Sequence, residues 1–449
     1  TFLDKYEFYY LEDEKKDNAY IMYYPERNYY VNKSLSEILI NIYYDCQESG
    51  IDLVKELRLY NIEDWDEMSF KRQLDTIMNT IHKKIINEKR IKLVFNINYA
   101  PIDDKFIILD HKKYFNTYNK TELWDYDKKQ DKFQFPNIEA LLMNLCNNNE
   151  ENYNYFLKWL AWIIKNSLEK LPTAIIFQGR QGSGKGTFKN LILDSIFGKN
   201  CQEINQTHLE SSFNEYLMGK QIIVANEVMH NENRQTLPNI LKNLVTDEAI
   251  TINRKFKKEI VSKNYTHWIF CTNSDNPIKI EEDDRRYSVF YSKKLSKSIA
   301  KDLRKNLDYE IKEFVSYLKS LNPTFEEVSE PIMTEAKEEI IELNKDSVQR
   351  FIEYLKQYES IKESHLKIFG NDSINIKVHN DSGEEYIPLD DFYKIYHKWS
   401  KDTGEFMSFS KQNFNRKINN LGIKQERTSF NGKTFRVFSV GLIENVLMS

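Results

Sequence analysis

The four cysteines, Cys46, Cys146, Cys201 and Cys271, lie far apart, and no CxxC pair exists. That excludes a disulfide framework and a cysteine-built structural zinc, and it fits a reduced compartment. Long hydrophobic runs are absent too. Trp159–Ile164 is apolar but far too short to span a membrane. Positive charge is not in excess: the net charge is −4 and the pI about 6.2. No global field therefore attracts nucleic acid, and any such contact has to come from local basic patches. No signal-peptide pattern is present, and the first residue is Thr1, so a piece of a longer or trimmed polypeptide is expected. What is present is length for more than one domain, and 41% hydrophobic with 14% aromatic residues, ample for real cores.

The chain is organised around Leu171–Phe188, LPTAIIFQGRQGSGKGTF. Ala174–Gln178 predicts a short buried strand. Gly179-Arg180-Gln181-Gly182-Ser183-Gly184-Lys185 then fits G-x-x-x-x-G-K. Phe188, Leu191 and Ile192 have helical spacing, in a helix that stops near Gly198. In that strand–loop–helix setting the glycines let the backbone wrap a phosphate chain, with N–H groups pointing inward at the helix N-terminus. Lys185 is placed to reach the β- and γ-phosphates. Gly186 stands where Ser or Thr usually ligates magnesium. Thr187 follows as the substitute hydroxyl, the other arrangement being a metal held mostly through water. The GKGT form also occurs in nucleotide kinases, so the loop alone does not name the reaction.

Upstream, Tyr6–Leu11, Tyr20–Tyr24 and Asn28–Val31 predict strands, 34–58 and 68–88 helices, and Lys92–Asn98 and Lys105–Leu109 strands. The many tyrosines suit sheet packing or base stacking. Residues 136–168 predict two helices, with Phe156, Leu157, Leu160, Ile163 and Ile164 on one apolar face beside Trp159 and Trp162.

Downstream, Gln221–Val228 predicts a buried strand ending in Asn226-Glu227. In P-loop ATPases the second acidic position after such a strand polarises the attacking water, and the acid before it steadies magnesium. Glu227 is thus the expected general base, and neutral Asn226 a weaker partner for the metal's water. Strands at Ala249–Asn253 and Glu259–Lys263 flank a basic tip, Arg254-Lys255-Phe256-Lys257-Lys258. Cations around an aromatic suit a single-stranded backbone with a base stacked on Phe256; the plainer reading is a solvated loop. His267–Pro277 predicts a strand ending at Thr272-Asn273, where Asn273 can bond a γ-phosphate or the attacking water. Arg285-Arg286 precedes a strand at Tyr287–Tyr291, a position from which an arginine can reach a neighbouring subunit's site.

Residues 294–345 read as a charged helical lid or linker, with Glu326–Glu342 a solvated acidic face. The tail is a separate module. Leu389, Phe392, Tyr396 and Trp399 form one helix face. Ser410 caps a second helix with Phe414, Ile418 and Leu421 inward and Lys411, Arg416 and Lys417 outward. Asn431-Gly432 turns a hairpin. Helix, helix, hairpin is a winged-helix pattern, which serves as a DNA-binding or a protein-protein module.

The set from Gly179 to Arg286 resembles a superfamily 3 helicase, nearest to the primase-helicases and primase-polymerases of phages, plasmids and large DNA viruses. GRQGSGKGTF resembles the Walker A segment, QIIVANE Walker B, ITINRKFKK the pre-sensor hairpin and WIFCTN motif C, with Arg286 matching the arginine finger. The likeness implies an α/β fold with a P-loop AAA+ type ATPase domain and a parallel sheet at 170–292. Around it are expected an α+β N-terminal region (1–95), a helical collar (96–169), a lid (293–345) and a winged-helix-like C-terminal domain (346–449). It implies ATP and Mg2+ as cofactors, held by Gly179, Gln181, Gly182, Ser183, Gly184, Lys185, Gly186 and Thr187, with Thr187, Asn226 and Glu227 toward the metal. Lys185, Glu227, Asn273, Arg286 and Arg285 are the implied catalytic set, and Arg254, Lys255, Phe256, Lys257 and Lys258 the single-stranded DNA contacts. It further implies a hexameric ring, a primase or primase-polymerase in the same polypeptide, no membrane, and a bacterial host's cytoplasm. Two other readings stay open: a P-loop nucleotide kinase, which would gain nothing from DNA, and a non-hydrolysing ATP-dependent DNA-binding or loading protein.

Overall fold

The computed structural model describes residues 2–448 apart from 14–18, 28, 63, 128–131, 229–236, 256–258, 275–277, 359, 371–374, 380–381 and 406–408. The chain divides into two compact units, Thr1–Ile340 and Ile341–Ser449.

In the first unit, β1 (Glu7–Leu11), β2 (Tyr20–Tyr24) and β3 (Tyr29–Lys33) pair antiparallel, and β4 (Ile91–Val94) joins β1 in parallel, in the order β3-β2-β1-β4. Both faces of this sheet are covered. Phe8 and Met22 pack with Ile38, Ile42 and Ile81 of the Leu35–Glu48 and Phe70–Asn87 helices. Tyr9, Leu11 and Ile21 face the other way, against Phe115. Tyr6 and Tyr9 are buried, so these rings pack the sheet and are not open to stack on bases. The single strand expected over Lys92–Asn98 is two. After β4 the chain leaves for β5 (Ile97–Asn98), which belongs to a second sheet with β6 (Phe106–Leu109) and β7 (Lys112–Asn116). Sequence reading missed β7 because its turn is Asp110-His111. Both residues have positive φ, 50° and 61°, a conformation usually signalled by Asn-Gly or Asp-Gly.

The centre of the unit is a five-stranded, all-parallel sheet of β8 (Ala174–Gln178), β9 (Cys201–Asn205), β10 (Ile222–Asn226), β13 (His267–Thr272) and β14 (Tyr287–Tyr291). A separate antiparallel hairpin, β11 (Ala249–Ile252) and β12 (Ile260–Lys263), lies between β10 and β13 in the chain. The sheet order is β14-β8-β13-β10-β9. Every residue of β8 and β13 is buried, as covered parallel strands require. The Glu150–Lys165 helix is buried around most of its girth rather than on one face, because it packs between this sheet and the Lys297–Ser320 helix. Phe156 meets Phe177, Phe188 and Phe290 edge-on or tilted at centroid distances of 5.2, 5.6 and 6.3 Å. The 96–169 stretch is α-helical from Pro136 onward; β5, β6, β7 and a short 3-10 turn at Glu122–Trp124 occupy its first part.

The Pro136–Leu145 helix begins without a side-chain cap of its own. Its first amides are satisfied from a distance by the Glu310 carboxylate, which accepts from Asn137 N at 2.9 Å and Ile138 N at 3.0 Å. Glu310 is only 2% exposed. Glu310→Ala is expected to destabilise the chain by about 2–3 kcal/mol, because two amides lose a charged acceptor. Chemical denaturation measures this; a loss below about 0.5 kcal/mol would show that water replaces the carboxylate.

In the second unit, the Ser347–Leu355, Leu389–Asp402 and Lys411–Asn420 helices enclose one core with a four-stranded antiparallel sheet. Its strands are β15 (Lys377–Val378), β16 (Glu385–Pro388), β17 (Gln425–Phe430) and β18 (Lys433–Ser439), in the order β15-β16-β18-β17. Phe392, Tyr396, Trp399, Phe414 and Ile418 are buried, and Ser410 caps its helix by accepting from Asn413 N. Asn431 and Gly432 turn the β17–β18 hairpin with φ of 47° and 75°. Two of the three cations expected to face outward are already matched by carboxylates of this unit: Lys411 with Asp390 at 2.7 Å and Lys417 with Asp346 at 2.5 Å. Arg416 is exposed. Among the described residues no helix is long and apolar enough to cross a membrane.

Candidate functional site

β8 ends at Gln178, and the glycine loop follows at the carboxyl edge of the sheet. β8 is flanked by β13 on one side and β14 on the other, although the chain visits β9 and β10 first. Ligand crevices in open parallel sheets form at such reversals of strand order. Two glycines are dictated by their surroundings. At Gly179, φ is 150° and a Cβ would stand 2.2 Å from the Ser292 carbonyl oxygen. At Gly184, φ is 100° and a Cβ would stand 2.6 Å from Leu141 Cδ1. The loop is clamped from outside as well. Asn144 Nδ2 donates to the Ser183 carbonyl at 2.9 Å and to the Lys293 carbonyl at 2.9 Å, and Leu295 N donates to the Gly182 carbonyl at 2.9 Å. Nothing in the spacing around Asn144 signalled this role, which comes from the Pro136–Leu145 helix packing over the loop.

Lys185 opens the Lys185–Thr187 helix, which continues as a π-helical stretch over Phe188–Leu193 and ends as Asp194–Phe197. π-Helical stretches are rare and often mark functional sites. The Lys185 ammonium donates to the Gly179 carbonyl, to Ser183 Oγ at 3.1 Å and to Asn273 Oδ1 at 3.1 Å. It is thus folded back over its own loop and joined to the end of β13. Burial pulls its pKa below the ordinary lysine value, so the group gains from a nearby anion. Gln181 and Gly182 line the loop, and Gly186 and Thr187 are in the first helical turn.

The end of β10 holds Asn226 and Glu227. Glu227 has φ 57°, the left-handed region that only glycine enters freely, and its N–H donates to the Cys271 carbonyl at 2.8 Å. Such an outlier is held by its surroundings and is common at functional positions. Asn226 Nδ2 donates to Glu203 Oε1, on the neighbouring strand β9. Glu203 is absent from the sequence expectation, since a lone acid in a strand gives no motif.

Arg286 lies at the start of β14, and its carbonyl accepts from Ala174 N at 2.8 Å. That places it at the amino edge of the sheet, four residues, or ~13 Å of strand, from Gln178. Its guanidinium is 2.6 Å from Asp284 Oδ2, and its side chain is 20% exposed. Asp284 Oδ1 accepts from Arg286 N and Tyr287 N at 2.8 and 3.2 Å. Arg286 Nε has no partner among the described residues. Arg285 is exposed.

The β11–β12 hairpin is rooted by Asn214, which donates to the Thr251 carbonyl at 2.9 Å and accepts from Asn253 N at 2.6 Å. Arg254 departs from expectation: it is 1% exposed. Ile250 and Ile252 lie on the more buried side of β11, and Arg254, two residues past the strand's end, continues that alternation. As placed, Arg254 is not a surface cation for DNA. Lys255 is exposed. Phe256, Lys257 and Lys258 lie outside the described residues.

Among the described residues, no three His, Cys, Asp or Glu side chains are grouped to cage a metal. The oxygen donors at this end of the sheet, Thr187, Asn226, Glu227 and Glu203, are hard ones. They fit a cation that keeps phosphate and water as most of its ligands, as magnesium does.

Residues 177–286 match a family of unknown function, DUF5906. Over 250 residues, 54% of the chain, the sequence is 32% identical to the DNA primase-polymerase of Nitratiruptor phage NrS-1, of which it covers 34%. The chain therefore spans about a third of the length of that relative. In fold it is similar to the apo structure of the NrS-1 C-terminal region, with a TM-score of 0.68 and 22% identity over 97% of this chain and 96% of that one. A second apo form of the same region gives 0.66 at 22% identity, covering 97% of each chain. The site just described is thus carried on a fold shared along nearly its whole length with the C-terminal region of a phage protein, and in sequence the chain is similar to part of a phage DNA primase-polymerase.

Proposed function

We propose that this chain is the ATP-dependent helicase segment of a phage-type DNA replication protein. It would belong to the superfamily 3 class, with a P-loop AAA+ type ATPase domain and a winged-helix-like tail, and work beside a primase-polymerase in the same polypeptide. The observation that carries the reading is the Lys185 ammonium, held at the carboxyl edge of a parallel sheet between the glycine loop and Asn273. Loop amides and Lys185 would hold the phosphates of a bound triphosphate in place of those contacts, and Asn273 would bond the terminal one. Thr187 and Asn226 would hold magnesium, directly or through water, and the ion would neutralise phosphate charge. Glu227, fixed by its left-handed backbone, orients and deprotonates the attacking water.

Arg286 lies at the opposite edge of the sheet from its own loop. This favours service to an adjoining copy in a closed ring, where each interface completes one site. Hairpins carrying Lys255 then move with the phosphate state and draw one DNA strand along.

ATP turnover with and without single-stranded DNA tests this. Turnover is expected to rise several-fold with DNA and to lose that rise, at unchanged basal rate, in Lys255→Ala. The neutral Asn226 favours one rival, a non-hydrolysing ATP-dependent DNA-binding or loading protein. No turnover with magnesium or manganese, despite ATP binding, would establish that rival instead.

A further inference from the structure

Asn226 leaves a gap in the site: an amide where an acid usually steadies the cation. The adjacent strand carries a carboxylate that fits the gap. β9 and β10 are parallel, with Val224 opposite Glu203. Cys201, Ile222 and Val224 pack in one cluster with Phe188 and Ile192 of the segment after the phosphate loop. Strand alternation therefore puts Glu203 on the face of Cys201, and Asn226 on the face of Val224, both toward the loop's helix.

The contacts agree. Glu203 Oε1 accepts from Asn226 Nδ2, and Oε2 is 3.6 Å from the ammonium of Lys189, two residues beyond Thr187. Lys189 is closer to Asp194, at 3.1 Å, so Glu203 is not its main partner. With Nδ2 turned to Glu203, the Asn226 amide presents its oxygen in another direction. Together the two side chains restore a single negative charge beside an oriented oxygen donor.

We infer that Glu203 does the work of the missing acid: paired with Asn226, it steadies the water shell of the divalent cation that accompanies ATP. The inference rests on the nucleotide site proposed above and names a positioning residue within it. The side chain reaches the cation through Asn226 and water, so its effect is on binding of the metal–nucleotide pair.

The test is equilibrium binding of a fluorescent non-hydrolysable ATP analogue to the full chain, in magnesium and in EDTA. The unaltered chain is expected to bind at least about tenfold tighter with magnesium. Glu203→Gln should cut that advantage to about twofold or less, with affinity in EDTA unchanged. Adding Asn226→Asp to Glu203→Gln should restore most of it, which a merely structural role for Glu203 would not allow. A Glu203→Gln chain that keeps the full magnesium advantage overturns the inference, as does an unaltered chain that binds equally well in both buffers. Absence of binding in either buffer overturns the nucleotide site itself, and the inference with it. Failure of Glu203→Gln to fold would be seen in its circular dichroism, and Glu203→Asp, which withdraws the carboxylate by one methylene, then decides: it should lose part of the magnesium advantage with affinity in EDTA unchanged, and an undiminished advantage overturns the inference.

Discussion

Arg286→Ala is expected to lower ATP turnover by on the order of 10³–10⁵ while nucleotide affinity changes only a few-fold. In the proposed role the guanidinium acts on the transition state, where charge builds on the transferred phosphoryl group, and not on ground-state binding. The location is specific. Arg286 sits at the amino edge of β14, whereas the glycine loop leaves the carboxyl edge of β8. A side chain spans about 7 Å at most against ~13 Å of strand, so its own loop is out of reach.

The decisive arm is mixing. Arg286→Ala subunits keep an intact loop, and Lys185→Ala subunits keep an intact arginine. In a one-to-one mixture about one interface in four joins the two good halves, and turnover should return toward a quarter of normal. A mixture as inactive as its parents would place the arginine's role within its own chain. Arg286→Ala also removes the cation paired with Asp284 Oδ2, whose side chain is 2% exposed; Oδ1 keeps its two backbone donors, but a buried charge that loses its counter-ion destabilises. Arg286→Lys, which keeps a cation near Asp284, serves as the control: it should regain thermal stability without regaining full turnover.

Lys185→Ala is expected to weaken ATP binding by about 2–5 kcal/mol, roughly 30- to 4000-fold. The ammonium is half-buried and carries its charge at a cost that an anion relieves. Its present partners, a carbonyl, a hydroxyl and an amide oxygen, are all neutral, so a phosphate is a far stronger one. Isothermal titration measures the change, and an unaltered Kd would remove the loop from the nucleotide. Glu227→Gln provides the contrast. It should bind ATP as before and lose about 10²–10⁴ in turnover, because a general base acts only on the reacting water.

The local elements were largely legible in the residues. Short apolar runs bounded by glycine, asparagine or charge gave β8, β10, β13 and β14 nearly to the residue, and the Asn431-Gly432 turn marked its hairpin. These signals are local, since periodicity and turn chemistry act over a few residues. Motif positions such as Lys185 and Asn273 could also be nominated from order along the chain. Their 3.1 Å meeting depends on β13 lying next to β8.

Tertiary structure alone decided the rest. Whether Arg254 faces water or the core is set by what packs under β11. Whether Lys411 and Lys417 are free is set by Asp390 and Asp346, far off in sequence. The clamp by Asn144, the cap by Glu310 and the pairing of Glu203 with Asn226 join residues from 23 to 173 positions apart. A sequence fixes which groups exist and which short segments they build. Which buried polar groups meet is chosen only when strands and helices assemble, because burial drives most donors and acceptors to find a partner wherever the packing provides one.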